Sequence, residues 1–138
     1  MKHIIGIVLS LFILTSCSKY EEGPKVNFVA KKERITNKWT PISTFINGID
    51  VSLEYQGDIL ELTKEDNFTL ITKYGDVFHG DWEFTSEKEN VIIRTYYPNS
   101  KDVAEVTEWN IIKLRKDQLW VTANIDGKLF EYFLEPAF

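Results

Sequence analysis

Apolar and polar residues alternate along the second half of the chain with the two-residue period of a β-strand. In 119–125 (LWVTANI) every odd position is apolar, and the even positions turn polar after Trp120. In 129–134 (LFEYFL), Phe130, Tyr132 and Leu134 fall on one face and Glu131 on the other. Counting β-branched and aromatic runs with these, the candidate strands are 39–46, 51–55, 59–63, 68–74, 77–85, 91–97, 105–115, 118–125 and 128–134. Turn signals separate them, among them Asn47-Gly48, Gln56-Gly57-Asp58, Tyr74-Gly75-Asp76 and Asp126-Gly127. Asn-Gly and Asp-Gly suit two-residue hairpins, whose centre requires φ above zero. One segment reads two ways. Asp102-Val103-Ala104-Glu105 has the form of a helix capping box, but the β-leaning Trp109-Asn110-Ile111-Ile112 that follows favours a strand.

Short strands at regular spacing with hairpin-length links predict an antiparallel meander. A sheet of that size closes into a barrel or folds into a sandwich, because open edges invite aggregation. The expectation is an all-β domain over 34–138: a single antiparallel up-and-down β-barrel of about eight strands, with a sandwich as the alternative. A barrel that spans a membrane is argued against by Pro136, read as interrupting the last strand, and by Glu131 and Lys113 in mid-strand.

The first 33 residues break the pattern. Met1-Lys2-His3 is basic, and 4–14 (IIGIVLSLFIL) is apolar and uncharged, too short for a spanning helix, which needs about 20 residues. A basic start, a short apolar core and small residues make an export signal. Residues 18–33 mix charges without periodicity around Gly23-Pro24 and read as a flexible tether.

Composition narrows the function. A chain of 138 residues supports one domain with a core that needs no staples. Its net charge of −5 and lack of a Lys/Arg cluster argue against nucleic acid as a partner. There is one cysteine, Cys17, so no disulfide can form within the chain.

The segment Leu14-Thr15-Ser16-Cys17 resembles the lipobox of bacterial lipoproteins, an aliphatic residue and two small ones before a cysteine. The resemblance implies a signal peptide over 1–16, cleavage before Cys17, and lipid on its sulfur and amine. Two or more acyl chains hold a protein stably to a membrane where one does not. Glu21-Glu22 is similar to the surface-export signals of some Bacteroidota lipoproteins. The implied location is the cell envelope, as an outer-membrane lipoprotein facing the periplasm or the outside.

Gly80-Asp81-Trp82-Glu83-Phe84, followed by a strand and by Trp109-Asn110-Ile111-Ile112-Lys113-Leu114, resembles the lipocalin-like lipoproteins of Bacteroidota, with their Gly-x-Trp and Trp-x-Ile-x-x-Leu strands. At the first tryptophan strand, Asn37-Lys38-Trp39 departs from Gly-x-Trp. The resemblance implies a lipocalin-like β-barrel.

No catalytic constellation is legible, and no enzyme is expected. His79 is the sole histidine after the signal, so neither a zinc site nor a Ser/His/Asp triad can be assembled from usual ligands. No metal or cofactor is expected. Glu65-Asp66 and Glu105 with Glu108 read as solvated carboxylates rather than a hydrolytic pair. The remaining candidates are aromatic. Trp39, Trp82, Tyr96 and Trp109 could line a cavity, and Arg94 could meet a ligand carboxylate if its face of the strand points inward. Against this, a barrel this small can be filled by its own side chains. That makes the tryptophans plain core and Arg94 an exposed strand residue, the stronger reading of each. The first functional reading is a binding module for a small, largely apolar molecule. The alternative is a protein-interaction module, an envelope-complex subunit or enzyme inhibitor, with a filled barrel and an apolar outer surface, since both faces of the last strands are fairly apolar, Trp120 and Phe130 among them.

Overall fold

The structure, a computed structural model, describes residues 31–87 and 89–138. The expected signal peptide over 1–16, Cys17 and most of the stretch read as a tether lie outside the described residues. Lys32–Phe138 forms one compact unit.

The described residues form nine strands, β1 (Asn37–Ile46), β2 (Ile49–Asp50), β3 (Ile59–Leu62), β4 (Asn67–Ile71), β5 (Val77–Phe84), β6 (Asn90–Tyr96), β7 (Val103–Leu114), β8 (Leu119–Ile125) and β9 (Lys128–Pro136), all paired antiparallel in the order β2-β1-β3-β4-β5-β6-β7-β8-β9. β1 pairs with β9, so eight strands close into a barrel, and the two-residue β2 is an extra pairing on the upper end of β1. The expected barrel is realised and the sandwich is not. The Asp102–Glu105 segment opens β7 as a strand.

The sequence reading fails at 51–55. Ser52–Tyr55 is a one-turn helix. After the Asn47-Gly48 turn (φ 50° and 79°), β2 ends almost at once, and Asp50 Oδ1 accepts the Ser52 amide at 2.9 Å. The Ser52 hydroxyl, and after it this amide, lower the Asp50 pKa from its ordinary value. A local side-chain acceptor of this kind competes with the strand ladder and turns the chain.

Two smaller corrections concern the ends of the domain. Residues 31–35 are helical, and the first three of them belong to the stretch read as a flexible tether. Pro136 does not interrupt β9; it is its last residue and pairs with Trp39.

The register sorts side chains cleanly. Trp82 pairs with Ile93, Val91 with Trp109, Ile111 with Val121 and Leu119 with Leu134, and all of them point inward. With Trp39, Leu62, Phe68 and Ile35 they make the buried core. β1 carries a bulge between Pro41 and Ser43. An extra residue there reverses the facing of everything beyond it. Trp39 and Pro41 point inward below the bulge, Thr44 and Ile46 above it, while Ser43 and Phe45 are turned out.

Candidate functional site

The two ends of the barrel are built differently. At one end the 31–35 helical segment lies across the opening. Ile35 is fully buried, and the indole Nε1 of Trp39 donates to its carbonyl at 2.9 Å. Lys32 is anchored beside them, its Nζ 3.0 Å from Asp66 and 5.8 Å from the centre of the Trp82 ring. Trp39, Trp82, Phe68 and Trp109 fill the space behind this plug, Phe68 meeting Trp109 edge to face at 6.5 Å.

At the other end the inward-facing side chains stay partly open to solvent. Leu60, Leu70, Ile125, Phe130 and Tyr132 are half-buried although the register points them into the barrel. Phe78, opposite Leu70, is 43% exposed. Inward side chains that water reaches leave this end of the barrel unsealed. The inner residues here include small ones: Gly80 on β5, Ala123 on β8, Thr95 on β6 and Thr107 on β7. The lower half is packed, and the upper half, where Leu60, Leu70, Ile125 and Tyr132 rest on the core but stay partly exposed, is the bowl of the barrel.

The Ser52–Tyr55 helix lies where β1 and β3 part. Its Tyr55 ring stands edge-on to Phe130 at 6.5 Å and to Tyr132 at 6.1 Å. Burial raises the tyrosine pKa of both Tyr55 and Tyr132, and the Asp58 carboxylate adds to the effect at each. Thr44 pairs with Tyr132 across β1 and β9 and is fully buried. Its Oγ1 has no hydrogen-bond partner among the described residues.

The five cavity candidates divide into two groups. Trp39, Trp82 and Trp109 are brought together, but as packed core below the bowl rather than as its exposed wall. Arg94 and Tyr96 are on the opposite face. Asp81 pairs with Arg94 one step along from the inward pair Trp82 and Ile93, so Arg94 points outward. There its Nη1 meets Asp81 Oδ1 at 2.8 Å and its Nη2 meets Glu83, while the Tyr96 hydroxyl donates to the other Asp81 oxygen. Glu83 and then Asp81 hold the Arg94 guanidinium charged, and Asp81 raises the Tyr96 phenol. The condition attached to Arg94, an inward face, is not met. Strand alternation anchored on buried Trp82 could have assigned both faces.

His79 is exposed on β5, beside a rim groove of about 460 Å³ between Val77, Phe78, Tyr97 and Lys101. No cluster of three or more metal-ligating side chains occurs among the described residues.

Two solved structures share this architecture. One is a lipocalin-like protein from Bacteroides uniformis, with a TM-score of 0.55 and 12% identity over 75% of this chain and 98% of its own. The other is an uncharacterized protein from Bacteroides eggerthii, with a TM-score of 0.56 and 13% identity over 74% of this chain and 98% of its own. The fold is lipocalin-like. No family model matches the chain, and no curated protein matches its sequence. Sequence reasoning missed the residues that shape the bowl of this lipocalin-like barrel. Phe130 and Tyr132 were correctly placed on one face, but nothing marked Thr44 or Tyr55, because a bulge and a helix set their positions.

Proposed function

We propose that this domain binds a small, largely apolar molecule in the open half of its barrel, and that Cys17 anchors it to a membrane through lipid. The observation that carries the reading is the asymmetry of the two ends. Ile35 and Trp39 seal one, while at the other Leu60, Leu70, Ile125, Phe130 and Phe78 face inward and stay accessible. Apolar side chains left wet on a concave wall favour an apolar occupant, because covering them returns roughly 25 cal/mol per Å².

Native mass spectrometry of the protein, purified gently from an envelope extract, tests this. A reproducible excess mass that leaves on denaturation supports the bowl as a binding site. A bare mass across all preparations overturns it.

The alternative, a protein-interaction module, draws on a different face. Trp120 stacks on Phe133 at 4.8 Å, and Phe45 meets Phe133 edge to face at 5.9 Å, all on the outside of β1, β8 and β9. A bare mass would direct the search there.

A further inference from the structure

The wall of the bowl around Thr44 combines three hydroxyl groups with an apolar setting. Thr44 is 0% exposed and its Oγ1 is unpartnered. Its backbone is satisfied: the amide donates to Ser52 Oγ at 3.0 Å, and the carbonyl accepts from Val51 at 2.9 Å. The missing partner therefore belongs to the side chain alone. Valine would fill the same volume without leaving a buried hydroxyl unsatisfied, and buried hydroxyls in folded proteins nearly always have partners. The bulge after Pro41 is what turns this hydroxyl inward. Across the β1–β9 pair stands Tyr132, with Tyr55 against it, and among the described residues neither phenol makes a hydrogen bond.

Building on the reading of the bowl as a binding site, we infer that Thr44, with Tyr132 and Tyr55, recognises the uncharged oxygen-bearing end of an amphiphile, an alcohol or a carbonyl group, and not a carboxylate. A hydroxyl can both donate and accept, so an alcohol or carbonyl oxygen can complete the Thr44 side chain. Charge is disfavoured on this wall for two reasons. Desolvation is the leading cause that holds both phenols protonated, and it penalises an ion of either sign. Asp58, behind both tyrosines, and Glu54, beside Tyr55, add repulsion against an anion specifically. Access requires the Ser52–Tyr55 helix to give way. It is one turn long, buries none of its residues, and is tied down by Ser52 on Thr44 and by Lys73 Nζ on the Leu53 carbonyl at 2.9 Å. Segments with so few buried contacts open at low cost.

The test titrates the full chain with 1-decanol and with decanoate, matched in chain length, by ligand-observed NMR. Wild type is compared with Thr44→Val and Thr44→Ser, and the melting temperature of each is recorded without ligand. The expected result is decanol binding tighter than decanoate, a loss of about five- to tenfold in decanol affinity in Thr44→Val, and wild-type behaviour in Thr44→Ser. Thr44→Val should also melt higher than wild type in the absence of ligand. A Thr44→Val protein that melts higher but binds decanol as wild type does overturns the role of Thr44 and leaves the bowl standing. Decanoate binding tighter than decanol overturns the uncharged ligand class. If neither probe binds wild type, the reading of the bowl fails with it.

Discussion

A Cβ on Gly80 would stand 1.7 Å from the carbonyl oxygen of Arg94 and 3.0 Å from the Cα of Thr95. β5 and β6 approach so closely there that no side chain fits, and the obstacle is backbone, which cannot swing aside. The same strand then turns Trp82 into the core two residues later. The Gly-Asp-Trp run thus has a physical meaning: hydrogen for close strand approach, a carboxylate for the outer ion pair, and a ring for the interior.

Gly80→Ala should therefore cost about 1–3 kcal/mol, the usual range for forcing extra atoms into packed structure. Urea denaturation followed by tryptophan fluorescence measures it. A wild-type midpoint would show that the two strands separate freely, against the register drawn here.

Trp39 plugs the closed end by packing and by its bond to the Ile35 carbonyl. Trp39→Phe keeps most of the ring volume and strands that acceptor, at about 1–3 kcal/mol. Trp39→Ala empties the site and should cost about 3–5 kcal/mol. Hydrogen exchange adds a local readout, since the Thr36 amide bonded to Lys32 should lose protection in Trp39→Phe before the barrel strands do. Equal protection in both proteins would mean the helical segment is held by something other than this bond.

Arg94→Ala removes an outer-face network in which the Arg94 side chain is 31% exposed. Pairs that accessible are worth little, about 1 kcal/mol or less after solvent screening. Ligand binding should not change, because Arg94 points away from the bowl. A large loss of affinity in Arg94→Ala, with the fold intact by circular dichroism, would place the ligand on the outside of the barrel.

How much of this was legible in the chain follows from which physics set each part. Strand alternation and the Asn-Gly and Asp-Gly turns are local, and they located eight closing strands and sorted the residues of β8 and β9 into two faces without saying which is inward. Segment 51–55 misled, because its β-branched start is outweighed by a side-chain bond from Asp50 to Ser52. The tryptophans stayed open between ligand wall and core because rings suit either, and only the depth of each along the barrel decides for the core. Thr44 was invisible for a stricter reason. Counting by twos from Trp39 puts it outside, and the bulge at Pro41 that brings it in leaves no mark in periodicity.

Alkaline stability offers a check on the bowl that needs no ligand. Tyr132 and Tyr55 both have folded pKa values raised above 10.0, chiefly by burial. Below that value both phenols are neutral in the folded and the unfolded chain, and they contribute no pH dependence. Above it the unfolded chain releases its protons first, so the folded state binds more and stability falls as pH rises toward the folded values. Wild type should thus lose stability more steeply than Tyr132→Phe between about pH 9 and 11, with denaturation midpoints the quantity compared. Tyr132→Phe removes the ionisable group and keeps the ring stacked on Phe130 at 5.9 Å. Because the Tyr132 hydroxyl has no hydrogen-bond partner to lose among the described residues, the two curves should diverge with rising pH, wild type falling below the variant. Curves that stay parallel would mean that water reaches the Tyr132 hydroxyl freely, and that the wall beside Thr44 is wet rather than sealed beneath Tyr55.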